Sequence, residues 1–471
     1  MKNITDLYIN GKFVRATGTE IQSLFNPETG EQIGTVTLAN ETDTNLAVKA
    51  AKEAFTSFSR TSLKQRAEIL QNIYNSIIER EEELNEAAVL EYGSPITATR
   101  ARTRFSAELF LEAKEAMESF DFQKNLPYAS IVYEPLGVIA AITPWNADYT
   151  HICGKLAPAI ATGSTMVIKP SELSAIQTQI LTECFHKAGV PNGVVNVING
   201  SGSLVGAALS SHPDVAIVTF TGSTAIGKTI RKQATDTMKR VTLELGGKSP
   251  NIIMEDADLK TAIPMSLKIA FSNSGQACHA GTRLIVPEKH LHDIKSLLIK
   301  EAEGLKIGNL LEPDSTIGPM VSRKQYETVQ RYIQSGIDQG AELITGGLGH
   351  PEGLSGFYVK PTIFIHVNPD MMIAKEEIFG PVLSVITYRS EEEAVRIAND
   401  TIYGLSAYIS SADLEKAKRL ASRIVSGRVL INTAVNRETN SPFGGFKQSG
   451  LGRTSGTYGI AEYVEPKVIA V

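Results

Sequence analysis

The sequence predicts an α/β protein of more than one domain, built on parallel sheets. Three observations carry this. Continuous apolar runs at Val138–Ile142, 166–168, 194–198 and 216–220 read as strands buried on both faces. Helix-length segments at 175–189 and 203–211 separate them, the spacing of crossover connections in a parallel sheet. The chain has 471 residues, enough for two or three domains.

The elements follow in order. Segments 7–14 and 32–36 read as short strands, with turns at Asn10-Gly11 and Pro27-Glu28-Thr29-Gly30. From Thr42 the period becomes helical, with Leu46, Ala47, Ala50, Ala51, Ala54 and Phe55 on one stripe. A Thr61/Ser62 cap opens a longer helix that carries Ala67, Leu70, Ile73, Tyr74, Ile77 and Ile78. It is expected to run on to the stop signal Tyr92-Gly93-Ser94-Pro95. A third helix covers 97–120. Segment 123–133 contains Pro127 and reads as a projecting hairpin or a loop. A second α/β region begins near Gly246-Gly247-Lys248-Ser249-Pro250. Its strands are expected at 251–254, 284–286, 382–386 and 429–431, its helices at 259–271, 291–298 and 392–399. The tail, 463–471, is apolar and β-prone.

Composition narrows the function. Hydrophobic residues make up 42% and charged ones 21%, as in a soluble globular protein. The net charge of −5 and the lack of a basic block argue against nucleic acid. No run approaches the ~18 apolar residues of a membrane span, and the N-terminus has no secretory h-region. Cys153, Cys184 and Cys278 are too few for a disulfide framework and fit no zinc spacing, so no metal site is expected. A reducing, cytoplasmic setting is the simplest expectation.

Several strand ends carry chemistry-bearing residues. Cys278 lies in a small, polar, Gly-punctuated loop, Ser272-Asn273-Ser274-Gly275-Gln276-Ala277-Cys278-His279. On its own this loop suits a reachable thiol and a buried structural one equally. Gly222-Ser223 follows a strand and opens a helix, as a phosphate cradle or a plain helix cap. Lys169 and Glu172 end another strand, where a carboxylate can accept from both hydroxyls of a ribose or simply face solvent. Trp145-Asn146 follows a third. It is either a core Trp with an Asn turn or a positioned amide donor. Glu244 stands between Leu243 and Leu245, a setting that can raise a carboxyl pKa towards that of a general base, or can be an ordinary strand edge.

Taken together, Thr143-Pro144-Trp145-Asn146, Lys169-Pro170-Ser171-Glu172, Phe220-Thr221-Gly222-Ser223, Leu243-Glu244-Leu245-Gly246-Gly247-Lys248, Gly275-Gln276-Ala277-Cys278, Glu377-Ile378-Phe379-Gly380-Pro381 and Pro442-Phe443-Gly444-Gly445 resemble, in order and spacing, the NAD(P)+-dependent aldehyde dehydrogenase superfamily. The resemblance runs from Tyr8-Ile9-Asn10-Gly11 to the C-terminal strand. It implies a Rossmann-like NAD-binding domain at 1–122 and 136–246 and an α/β catalytic domain at 247–448. It also implies a small β oligomerisation element at 123–135 and 456–471, in a homodimer or homotetramer. By the same resemblance Cys278 is the nucleophile and Glu244 the general base. The Asn146 side chain and the Cys278 N–H form the oxyanion hole. Lys169 and Glu172 meet the adenosine ribose. Trp145, Gly222, Ser223 and Leu245 line the cofactor, and Glu377 and Phe379 hold the nicotinamide-ribose side. The implied reaction oxidises an aldehyde to the acid with NAD+, through a thiohemiacetal and a thioester. Glu172 favours NAD+, with NADP+ possible, and Glu244 favours hydrolysis over transfer to coenzyme A. The rival expectations are an NADP+-preferring semialdehyde dehydrogenase and a catalytically silent relative.

The chain also departs from familiar members. Ala147-Asp148 stands where Phe-Pro is common, and Thr454 where a Glu is common. Gly154 replaces a bulkier residue on the substrate-tunnel helix and, with Ala147, suggests a roomier channel. His151 and Arg437 are expected to make its mouth polar. His279 is expected not to activate the thiol, because neighbours on an extended loop point apart.

Overall fold

The apolar runs of the sequence become adjacent strands. The computed structural model describes residues 1–470 except 148, 437 and 439, so the expectations about Asp148 and Arg437 lie outside the described residues. Arg240–Glu244, Val215–Thr221, Val138–Ile142, Thr165–Lys169 and Val195–Val197 lie side by side in that order, all parallel. Asp6–Ile9 and Lys12–Arg15 extend one flank antiparallel, and Gly450–Leu451 closes the other. Every residue of Val138–Ile142 and Thr165–Lys169 is buried, because helices cover both faces. The chain moves outward from Val138–Ile142 to Val195–Val197 and then returns to the opposite side with Val215–Thr221. A crevice therefore opens between the carboxyl ends of Val138–Ile142 and Val215–Thr221, where ligands of open α/β sheets bind.

A second sheet runs Glu342–Thr345, Thr362–Ile365, Val382–Tyr388, Arg283–Pro287, Pro250–Ile253, Ser406–Ser410, Arg428–Ile431. All its pairings are parallel except the first. Segment 123–133 is a hairpin: Gln123–Leu126 pairs with Ala129–Pro135. Val464–Ala470 joins it antiparallel, from Val464 opposite Pro135 to Ala470 opposite Ala129. A small fourth sheet combines Lys2–Ile4, Gln32–Thr37 and Ile21–Phe25.

The helices depart from expectation at one corner. Ser62 caps Leu63–Glu79 as expected, in a capping box with Gln65. That helix stops at Arg80 (φ −111°, ψ 22°), and Glu81–Tyr92 starts afresh. The expected single helix is therefore two. Arg80 fixes the corner by donating to Glu83 at 2.6 Å and to Glu183 at 2.7 Å. Gly93 ends the second helix in the left-handed region (φ 81°). Thr150–Thr162 is the crossover from Val138–Ile142 to Thr165–Lys169.

Among the described residues no helix is long and apolar enough to cross a membrane. No three His, Cys, Asp or Glu side chains among them group so as to hold a metal ion. All three cysteines are free.

Candidate active site

Sheet topology brings the singled-out residues to one edge. Neighbouring parallel strands end at Glu244, Thr221, Ile142 and Lys169. Their carboxyl ends deliver Glu244, Gly222-Ser223, Trp145-Asn146 and Lys169-Glu172 to one side of the sheet. The second sheet meets this edge with its amino ends. Cys278 lies in the loop before Arg283–Pro287, Glu377 before Val382–Tyr388, and Gly247-Lys248 before Pro250–Ile253.

The cysteine loop is bolted to the first sheet through amides. Asn146 is buried, and its Nδ2 donates to the Gln276 carbonyl at 3.1 Å. Asn273 Nδ2 donates to the Asn146 carbonyl at 2.6 Å and to the Gln276 carbonyl at 3.1 Å. Arg102 Nη2 in turn donates to Asn273 Oδ1 at 3.1 Å. The Gln276 side chain bridges Pro319 O and the Val321 N–H. These bonds hold an unusual backbone: Asn273 (φ 54°), Ser274 (φ 56°) and Gly275 (φ 74°) are all left-handed. For the two non-glycines this costs on the order of 1 kcal/mol each. At Gly275 no side chain fits, because a Cβ would lie 2.1 Å from the Gly380 carbonyl oxygen. Gly247 is restricted in the same way by the Cys278 carbonyl at 2.2 Å, so the loop rests directly on the Gly246-Gly247 backbone.

Around the thiol stand two carboxyl groups and one guanidinium. Cys278 keeps part of its surface. Burial pushes its thiol up to about 12, with Glu377 and Glu244 adding to the rise and Arg428 opposing it. The resting sulfur is thus a neutral thiol near pH 7. Burial also raises the Glu244 carboxyl, against Lys155, Arg453 and Arg428, with Glu462 helping. Its Oε2 has no hydrogen-bond partner among the described residues. Burial lifts Glu377 to about 7, opposed by the Gly247 N–H, which donates to Oε1 at 2.9 Å, and by Lys248. His279 is pushed down to about 4, by burial and then by Arg428. No hydrogen bond joins its ring to the thiol among the described residues.

Lys155 is a site residue that motif reading missed. It is buried, its Nζ donates to Thr219 Oγ1 at 3.1 Å, and its pKa is lowered by burial while the Glu244 charge opposes that. One signal was available: it is the only cation in the helix Thr150–Thr162. Asn273 was missed as well, because its partners are distant in sequence. Thr454 stands in a backbone pair with Phe443. The carboxyl group felt by Glu244 on that side is Glu462, which accepts from the Arg453 N–H at 2.9 Å.

The remaining singled-out residues lie along the crevice. The Lys169 ammonium is buried and pairs with Glu172 at 3.1 Å, leaving the carboxylate part-exposed. Ser223 caps Thr224–Gln233 through the Ile226 N–H. The Gly222 N–H donates to the Glu244 carbonyl at 3.0 Å. Leu245 is buried against Gly227. The Trp145 ring meets Phe379 edge-on at 5.4 Å, bridging the two sheets. Phe379 has φ 59°, and Gln325 Nε2 secures its turn by donating to the Ile378 and Phe379 carbonyls. The strands that end at Glu244 and Lys169 are three spacings apart, about 14 Å, so the two ends of the row suit an extended ligand.

Known proteins share this sequence pattern and this fold. The model of the aldehyde dehydrogenase family matches residues 13–469. A 3-succinoylsemialdehyde-pyridine dehydrogenase of Pseudomonas sp is 43% identical over 472 residues, covering 100% of this chain and 99% of the relative. A crystal structure of aldehyde dehydrogenase C from Pseudomonas syringae, a cysteine-to-alanine mutant with NAD+ and octanal, is 42% identical. It superposes with a TM-score of 0.97, covering 99% of this chain and 96% of that one. Betaine aldehyde dehydrogenase of Staphylococcus aureus, in complex with NAD+, is 34% identical with a TM-score of 0.95, over 99% of this chain and 94% of that one. This chain belongs to the aldehyde dehydrogenase family.

Proposed function

We propose that the chain oxidises an aldehyde to its carboxylic acid with NAD+, through an acyl thioester on Cys278 that water cleaves. The observation that carries this is the convergence of the Asn146 amide, the Glu244 carboxyl and the Cys278 thiol between two sheet edges, with one Glu244 oxygen unpartnered. The NAD+ complexes of similar proteins support the cofactor.

The crevice suits NAD+. Lys169 and Glu172 would hold the adenosine ribose, Glu172 accepting from its hydroxyls and repelling a 2′-phosphate. Gly222, Ser223 and the first N–H groups of Thr224–Gln233 would take the pyrophosphate. Glu377 and Phe379 would hold the nicotinamide ribose, and Trp145 and Leu245 would line the channel. Once bound, the nicotinamide supplies the hydride acceptor.

The chain's own residues do the rest. The thiol releases its proton to water, and the sulfur forms a bond to the aldehyde carbon as the carbonyl π pair moves to oxygen. Asn146 Nδ2 has a second N–H besides the one given to Gln276, and with the Cys278 N–H it stabilises the oxyanion. Oxidation leaves a thioester. Glu244 takes a proton from water, the water oxygen attacks the acyl carbon, the C–S bond breaks and the thiol is restored. Lys155 favours the ionised Glu244 that this step needs. One aldehyde, one water and one NAD+ give the acid, NADH and a proton. The first sheet with its helices acts as the NAD-binding domain and the second as the catalytic domain. The three-stranded sheet of 123–135 and the tail is the association element of a homodimer or homotetramer. Aldehyde-dependent absorbance of NADH, unaffected by coenzyme A, tests the reading; a rate that needs coenzyme A would refute it.

A further inference from the structure

Besides Glu244 and Glu377, a third charged group bears on the thiol. It is Arg428, the half-buried first residue of Arg428–Ile431. Its strand runs beside Ser406–Ser410, with Arg428 opposite Ser406. Three contacts fix the guanidinium. Its Nε donates to Ser406 Oγ at 2.8 Å. Its Cζ stands 4.8 Å from the centre of the Phe443 ring, in the Pro442-Phe443-Gly444-Gly445 loop. It also gives a hydrogen bond to the Tyr408 phenol, which shares a strand face with Ser406. Tyr408 is buried and donates in turn to the His279 carbonyl at 3.0 Å, one residue after Cys278. The cation is therefore tied to the cysteine loop. No carboxylate accepts from it among the described residues. A guanidinium keeps its charge across the working pH range. Here that charge opposes the rise of the Cys278 thiol that burial, Glu377 and Glu244 cause. It also favours the ionised form of Glu244 and the neutral form of His279.

We propose that Arg428 is a positioning residue for the thioester chemistry: held on the cysteine loop through Tyr408, its guanidinium favours the anionic form of the Cys278 sulfur. The thiolate, not the thiol, attacks a carbonyl carbon, and a thiolate leaves when the thioester is cleaved. One fixed cation serves both ends of the cycle. This rests on Cys278 being the nucleophile of the proposed reaction.

The test is alkylation of Cys278 by iodoacetamide, in which the sulfur forms a bond to carbon and iodide leaves. The reagent is neutral, so loss of a protein charge acts on the sulfur and not on the encounter. Modification is read by mass on the peptide that contains Cys278, since Cys153 and Cys184 are buried. Each unit by which the thiol rises costs about tenfold in thiolate, part of which returns because a more basic thiolate is the better nucleophile. Arg428→Gln should therefore react about threefold more slowly than the wild type near pH 8, with its rate profile displaced to higher pH. Arg428→Lys keeps the charge and should stay within about twofold of the wild type. Arg428→Met makes the same comparison should Arg428→Gln not fold. A neutral variant that reacts as fast as the wild type, or faster, overturns the proposal, because a merely loosened loop would expose the sulfur. So does an Arg428→Lys enzyme as slow as the neutral variant. Alkylation uses neither NAD+ nor aldehyde. If Cys278→Ala still forms NADH from aldehyde at the wild-type rate, it is the aldehyde-oxidising reading through Cys278 that fails, whatever the alkylation rates.

Discussion

Glu244 and Glu377 approach Cys278 from opposite sheets, one at a strand's carboxyl end and the other in a loop before a strand. Burial raises both carboxyl groups, and both push the thiol up. They differ in how their oxygens are used. Glu377 Oε1 accepts from the Gly247 N–H, the backbone on which the cysteine loop rests. Glu244 Oε2 accepts from nothing among the described residues, and a buried ammonium, Lys155, favours its ionised form. A carboxyl group with a free oxygen and a nearby cation can take a proton from water. One already committed to a backbone N–H positions that backbone. Both are glutamates whose carboxyl groups burial raises, and they differ in hydrogen bonding.

Amide substitution at these two positions has the largest expected effect. Glu244→Gln is expected to lower steady-state turnover by about 10²–10⁴ while sparing a first burst of NADH, about one per active site. The loss would fall on thioester cleavage alone. Stopped-flow absorbance checks this, and a lost burst would place Glu244 before the thioester. Glu377→Gln should keep the Gly247 bond through its amide oxygen. It is expected to cost about tenfold, mostly in KM for NAD+.

Asn273→Ala removes the donor to Asn146 O and Gln276 O together with the acceptor for Arg102. Its expected cost is about 1–3 kcal/mol of stability, with kcat/KM falling about tenfold as the amide of Asn146 loosens. Thermal unfolding and kinetics measured on one preparation would check both. Lys155→Met has the smallest expected effect on plateau kcat and shifts its pH profile. The base must be ionised, so kcat falls as pH drops through the raised pKa of Glu244. Removing the Lys155 charge raises that pKa further. The acid limb of kcat should therefore move to higher pH, and a limb that moved down would contradict the assigned coupling.

Much of this was legible in the sequence because it is local. The strand Val138–Ile142 is a single apolar run with helix on both faces. The Ser62 cap and its Gln65 partner are three residues apart. The residues at the carboxyl strand ends form ordered motifs, so their convergence followed from a parallel sheet. What stayed hidden depends on the tertiary fold. The corner at Arg80 carries no Gly or Pro; an ion pair with Glu183 helps fix it, 103 residues away. Ile21–Phe25 mixes exposed and buried positions without clean alternation, so it did not read as a strand. Asn273 acts through Asn146, 127 residues distant, and Lys155 through the Glu244 carboxyl on another strand end. No periodicity records such pairs. Segment 123–133 alone does not distinguish a hairpin from a loop, because its partner strand is the C-terminal tail.

Covalent attachment of the substrate to Cys278 is checked by mixing the purified protein with NAD+ and an aldehyde and following the absorbance of NADH, for the wild type and for Cys278→Ala. The wild type should show steady NADH production, and Cys278→Ala neither burst nor turnover. Aldehyde-dependent NADH formation by Cys278→Ala at the wild-type rate would contradict the account.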